Sequence, residues 1–430
     1  MLYYTQIISH YFSNMLKKLR KKGIAAIELI EKWVKTDVRY IIKGGFWLSL
    51  NRIFLAITTL LISVTFANLM TRADYGVYKY VTTIITLLVI SSLPGMKIAI
   101  NQAVARGYEG SLIPAMKTKI KWGAFGTLVG IIISLYYYLN GNDQLALLIA
   151  AVSLVIPFKR SFQVYVPFFS GKKNFKQTAI FSLIQVSITT IITIITLFLT
   201  KNLLVILLAI IIPPIIIDLI FFRYTLKKQE NDKADPDTTR YGLFLSLMNA
   251  FTTLADNIDK LLLWFFLGPI QLAVYSFALS PINQLSTLAT SEIPSLALPK
   301  LSTKDIGEIK KSLPLKVFKF SLLLLPVVVL YIILAPWLYG IIFPQYPDSV
   351  IYSQILSLMI LIQPGEILFT ALKSQKKKKE IQNTVIFSAL IRIALFITLL
   401  PTLGILGLVI AQLLGMISRQ LFIYFQLRRV

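Results

Sequence analysis

The chain has 430 residues, 56% of them hydrophobic, and a mean hydropathy of +0.73. Long, almost uncharged runs exclude an ordinary soluble domain and place it in a bilayer. A formal charge of +25 does not make it a nucleic-acid binder, because the cations collect in the connections between apolar runs. The absence of cysteine excludes disulfides, thiolate nucleophiles and sulfur-ligated metals. The single histidine, His10, precedes every apolar run and reads as a solvated residue.

Residues 1–44 are too charged for a signal peptide and read as a basic, amphipathic cytoplasmic segment, either lying on the inner leaflet or serving as a basic tail that enforces topology. A membrane pass needs about 20 mostly apolar residues, and twelve runs meet that length: 45–70, 75–93, 120–139, 145–169, 178–199 and 203–222, then 241–267, 272–293, 320–342, 350–372, 381–400 and 403–427. Such continuous runs exclude a β-barrel, whose strands alternate polar and apolar residues. Of the 44 Lys and Arg, 35 fall on one side of the spans so drawn, which puts both termini in the cytoplasm.

Two ungapped stretches lie 197 positions apart: GFWLSLNRIF from Gly45 against GLFLSLMNAF from Gly242, then YGVYKY from Tyr75 against LAVYSF from Leu272. Both copies start from the same side, so the repeat is parallel and the substrate path is expected between the halves. The expected fold is an all-α integral membrane protein: twelve transmembrane helices in two parallel-repeat six-helix bundles, 45–222 and 241–430, around a central cavity. The joining cytoplasmic segment, 223–240, has the polar composition of a flexible linker.

A charge at mid-bilayer costs on the order of 3 kcal/mol, so those inside the spans must face protein or water. In FTTLADNIDKLLLWFFLG, residues 251–268, the spacing puts Asp256, Asp259 and Lys260 on one helical face near the midplane. Arg52 and Arg392 lie too deep to snorkel. Lys159 and Arg160 follow a proline break at Pro157, and Glu366 follows a second break at Pro364 and Gly365. The functional expectation is an electropositive cavity for a phosphate or diphosphate group, with Arg52, Lys159, Arg160, Lys260 and Arg392 binding the substrate. Asp256, Asp259 and Glu366 are the expected ion-coupling carboxylates, with Na⁺ or H⁺ as the coupled ion. The structural alternative is a set of interhelical ion pairs locking the bundle, such as Arg52 with Asp256. Lys79 and Arg419 lie nearer the interfaces, where snorkelling explains them as well as function does. Asp218 and Glu292 read as interfacial.

At these residues the chain resembles the polysaccharide transporter branch of the multidrug/oligosaccharidyl-lipid/polysaccharide exporter superfamily, which includes O-antigen flippases. The resembling segments are ANLMTRADYGVYKYV, 67–81, and DNIDKLLLWFFLGPIQLAVYSFA, 256–278, in which Asp256 or Asp259, Gly268 and Tyr275 match the family's acid, glycine and tyrosine. The long N-terminal extension departs from the pattern. The resemblance implies a flippase of the bacterial or archaeal cytoplasmic membrane. Its cargo would be a lipid-linked oligosaccharide, and its partners membrane lipids, a polysaccharide polymerase and glycosyltransferases, with no nucleic acid.

Two rivals compete with this reading. A polysaccharide polymerase or ligase needs sizeable external loops, whereas the longest outer connections are about as short as LNGNDQ and PQYPDS. A cation-coupled multidrug exporter of the same superfamily would favour an anionic interior, whereas the spans hold seven Lys and Arg against five acids.

Overall fold

The computed structural model describes residues 38–290, 301, 305–375 and 377–429. Most of the basic N-terminal segment, His10 and Glu292 lie outside the described residues. Every regular element among the described residues is helical, as a chain must be whose backbone groups have only one another to bond with in hydrocarbon.

The first two passes are α1 (Val38–Leu69) and α2 (Arg72–Leu88). Thr71 ends the turn between them by accepting a hydrogen bond from the Asp74 amide. A short helix that the span count did not foresee, α3 (Met96–Ala105), leads into α4 (Leu112–Leu139). The fourth predicted span is interrupted: α5 (Asp143–Ser153) gives way to a run of turns at 154–161 before α6 (Tyr165–Gly171). Then come α7 (Phe175–Leu199) and α8 (Leu203–Leu226). Asn142, Asn174 and Asn202 each cap a helix start, so α5, α7 and α8 begin where a side chain satisfies the first free amides.

In the second half, α9 (Thr238–Ala255) and α10 (Ile258–Thr290) contain the seventh and eighth predicted spans. They are followed by α11 (Ile306–Ile342), α12 (Ser349–Leu356), α13 (Met359–Ile362), α14 (Glu366–Ser374) and α15 (Lys378–Arg429). Among the described residues, nine helical stretches are long and apolar enough to cross a membrane. Two of these hold a pair of antiparallel passes each, turned at Gly268 (φ 80°, ψ −170°) and Gly404 (φ 60°, ψ −140°). Only glycine takes those angles without a Cβ clash. The twelve expected passes are thus present, the fourth as α5 and α6 and the tenth as α12 to α14.

The largest buried cluster draws on both halves, with Phe66, Ile84 and Ile149 from the first and Leu272, Phe277 and Phe396 from the second. Its densest join is α2 against α10. Gly76 abuts Pro269 so closely that a built Cβ would lie 2.0 Å from the proline carbonyl oxygen. Beside it Tyr75 stacks on Phe277 with centroids 4.3 Å apart, and Tyr80 stacks on Trp264 at 4.2 Å. Arg72 and Asp348 form an ion pair at 2.8 Å at the same end of the molecule, called here the loop end. Large apolar side chains on the outer faces, such as Leu323, Ile333 and Trp337 of α11, remain exposed, as expected where the solvent is lipid tails.

At the opposite, linker end, residues 227–237 are laid along the first half instead of hanging free. The Gly110 amide donates to Lys233 O (2.9 Å), the Asp235 amide to Ser111 Oγ (2.9 Å), and Arg106 pairs with Asp235. Lys172 bridges Glu109 and Glu230, both at 2.8 Å. Partial burial acts against the charged Lys172, but the two carboxylates outweigh it and raise its pKa. The folded value therefore exceeds the unfolded one, so the lysine's contribution to docking the linker is present below about pH 10, while the glutamates stay ionised, and is lost as pH rises through the folded value. Lys172→Gln is expected to speed protease nicking of 227–237 several-fold at neutral pH. An unchanged nicking rate would show that the backbone bonds alone hold the linker.

Candidate functional site

The acids of the seventh pass sit at a discontinuity rather than along one unbroken helix. α9 ends at Ala255, Asp256 and Asn257 form a turn, and α10 starts at Ile258. Asp256 remains exposed and pairs with Arg392 of α15 (Nη1 to Oδ1, 3.1 Å). Asp259 is buried, with 2% of its side chain exposed. One of its oxygens accepts from the Lys260 amide (2.9 Å) and Lys260 Nζ (3.3 Å), the other from the Tyr275 hydroxyl (2.8 Å). The glycine turn at 268 folds the chain back and brings Asp259 and Tyr275 level. Lys260 Nζ also reaches the Asp256 carbonyl oxygen at 3.4 Å. A buried carboxylate is tolerable in this setting because charge-assisted bonds engage both its oxygens.

On the α2 side of the α2–α10 join Lys79 is half-buried, its ammonium 5.5 Å from the centre of the Tyr75 ring. Its depth, about 10 Å below the start of α2, matches that of an interior group better than that of a snorkelling one.

Lys159 and Arg160 occupy the turns that interrupt the fourth pass, and Arg160 has φ 63°. The structure adds a cation that the sequence reading had counted among the connections. Lys119 of α4 is buried, donates to Ser92 O (2.6 Å), and interacts electrostatically with Arg160. Asp218, read from the sequence as interfacial, is buried and accepts from Tyr165 (2.9 Å) and Gln185 (2.6 Å).

Glu366 opens α14 after the 3-10 turn at Gln363–Gly365 and is held by Arg419 (2.9 Å) and Gln420 (3.2 Å) of α15. Arg419 therefore has an interior partner. Arg52 is half-buried on α1. The predicted residues thus fall into separate groups: Asp256, Asp259, Lys260 and Arg392 together, Lys159 and Arg160 together, and Glu366 with Arg419. The roles of Tyr275, Lys79 and Lys119 depend on contacts between helices, and the spacing along any one helix carries no signal for them.

Solved membrane proteins share this all-helical fold. A MATE protein solved in complex with MaD3S superposes with a TM-score of 0.63 at 14% identity over 90% of this chain and 95% of that one. The lipid II flippase MurJ, in an inward closed conformation, gives 0.63 at 15% identity over 90% and 87%. A MOP superfamily transporter from Pyrococcus furiosus, reported with a binding pocket of reverse polarity, gives 0.62 at 14% identity over 91% and 95%. No curated protein matches the chain by sequence. Residues 41–303 match the family of polysaccharide biosynthesis proteins, which is more than half of the chain, and the protein belongs to that family.

Proposed function

We propose that the protein is a flippase that moves a polyprenyl-diphosphate-linked oligosaccharide from the inner to the outer leaflet of a bacterial or archaeal cytoplasmic membrane, for surface polysaccharide synthesis. The halves 45–222 and 241–430 would open alternately to the two faces, with both termini and the linker in the cytoplasm and the loop end outside. A polymerase and glycosyltransferases are the proposed partners of such a step. The observation carrying this reading is the surplus of interior cations: Lys79, Lys119, Lys159 and Arg160 have no carboxylate bonded to them among the described residues, while Asp256, Asp259 and Glu366 are each bonded to a cation and Asp218 alone among the buried acids of the passes is held by neutral partners. An interior of that sign suits an anionic cargo, and family membership supports a role in polysaccharide synthesis.

In this mechanism Asp256 and Asp259 act as internal counter-ions. While ionised they hold Arg392 and Lys260, and protonation of either acid frees its cation for the diphosphate. Glu366 would act likewise on Arg419, and Arg52, Lys159 and Arg160 would guide the charged group from the linker end. Proton coupling of this kind needs no further cofactor, and Na⁺ would have to displace a tethered ammonium or guanidinium.

A leaflet-resolved assay of lipid-linked glycans in cells lacking the gene tests the reading. Single repeat units held on the cytoplasmic leaflet are the expected result. Units that reach the outer leaflet normally overturn it, in favour of a drug exporter of the same fold. In the complementation arm, Asp256→Asn is expected to insert normally and to lower transport about tenfold by mimicking a permanently protonated acid. Wild-type transport by this variant would remove the coupling role.

A further inference from the structure

We infer that α9 belongs mechanically to the first half, so that the joint between the two moving bodies lies at Asp256 and Asn257, inside the seventh pass, and not in the linker. Residues 227–237 already lie bonded along the first half, and the Glu230 amide adds a bond to Glu109 Oε2 (2.8 Å). The chain stays there as α9 begins. This helix packs chiefly against α3, and its Leu243 joins the buried cluster of Met96, Ile100, Val104 and Phe168, all from the first half. The Gly95 amide donates to Ser246 Oγ (3.0 Å), whose hydroxyl donates on to Gly242 O (2.6 Å). A built Cβ would lie 2.4 Å from Ser246 N at Gly95, and 2.3 Å from Met96 Sδ at Gly242. The side chains of Phe244, Leu247 and Phe251, also on α9, stay exposed.

Beyond the turn the balance changes. α10 also meets the first half at α2, but it packs on α12 and α15 of the second half as well, so it keeps neighbours when α2 lets go. α9 would leave most of its packing behind. The turn between them is the weak point of the pass, because Asp and Asn compete with the helix for backbone groups. Asn257 Nδ2 bonds the Thr253 carbonyl (2.9 Å), the Asn257 amide reaches back only three residues to Leu254 O (3.1 Å), and the Leu261 amide lies 3.4 Å from Asn257 O. Asp256, paired with Arg392, is then a strut across the joint. The use of this joint in transport rests on the flippase reading above; its position does not.

The test places pairs of nitroxide labels on cysteines introduced into the full, naturally cysteine-free chain in lipid nanodiscs, and reads their separations by electron paramagnetic resonance. Leu247→Cys on α9 is paired with Ile98→Cys on α3 and, separately, with Ile386→Cys on α15; the third pair joins positions 98 and 386. All three side chains are exposed. Gly76→Ala, which forces α2 off α10, shifts the state, and Asp348→Ala, which breaks the ion pair to Arg72, replaces it if that variant does not fold. The second and third pairs are expected to change together by about 5 Å or more while the first stays within about 2 Å. The joint is overturned if the first pair changes as much as the third, or if the third never changes. In a second arm, M96C/G242C is closed by an added oxidant; the first change clears the space that the second needs. Transfer by the closed form is expected to stay within about twofold of the reduced form, because the bond joins two parts of one body. A larger loss overturns the joint and keeps the flippase. Absence of transfer in wild type removes the flippase and leaves the joint to be decided by the label distances.

Discussion

Gly76→Ala is expected to lower transport at least tenfold and to reduce the melting temperature of the purified protein. The added Cβ would lie 2.0 Å from Pro269 O, 2.4 Å from its carbonyl carbon and 2.7 Å from its Cα. All three are backbone atoms, so no side chain can turn aside and α2 must move off α10. Overpacking of this kind costs about 1–3 kcal/mol. Here it falls on a close backbone approach between the halves, beside the Tyr75–Phe277 and Tyr80–Trp264 stacks. Gly340→Ala is the control, because nothing lies within 4 Å of its built Cβ. Wild-type transport and stability in Gly76→Ala would mean that this contact is not needed in any state of the cycle.

Asp259→Ala is expected to be the most damaging single change at the site. It leaves Lys260 without its carboxylate and the buried Tyr275 hydroxyl without its acceptor. Removing one partner of a buried, bonded charge pair costs on the order of 3 kcal/mol, here tempered by the partial exposure of Lys260. Asp259→Asn keeps an acceptor for Tyr275 and is expected to be milder, at about 1–2 kcal/mol. The double variant Asp259→Asn/Lys260→Gln removes both charges and is expected to recover much of the lost stability without recovering transport. Thermal unfolding and leaflet transfer measured on the same three variants separate the two roles. Recovery of both in the double variant would reduce the pair to a structural lock.

Much of the architecture was legible in the chain because its physics is local. A bilayer allows only runs of sufficient length and apolarity to cross it, so the runs and their number follow from composition. The glycines and prolines then mark where passes turn or break, as at Gly268, Pro157 and Pro364, whereas the last turn falls at Gly404, inside the expected twelfth span. Charges within an apolar run also announced that they face the interior, which holds for Asp259, Arg392 and Glu366, because hydrocarbon offers them no alternative.

The identity of the partners was decided only by the tertiary structure. Helical spacing predicted a continuous face for Asp256, Asp259 and Lys260, whereas a turn at Asp256 and Asn257 divides the helix and gives each acid a separate cation. Lys79 lies close enough to the end of its helix to pass for a snorkelling side chain, and Lys119 precedes the third predicted span. Interhelical packing buried Lys119 against the Ser92 carbonyl, and the fold set Lys79 on the face of Tyr75 beside the α2–α10 join. Linker composition suggested freedom, yet Glu109, Ser111 and Lys172, all distant in sequence, tie it down. Periodicity reports which way a residue faces along its own helix. What stands opposite depends on how separate helices pack, and in this protein that packing sets the charge pairs of the interior.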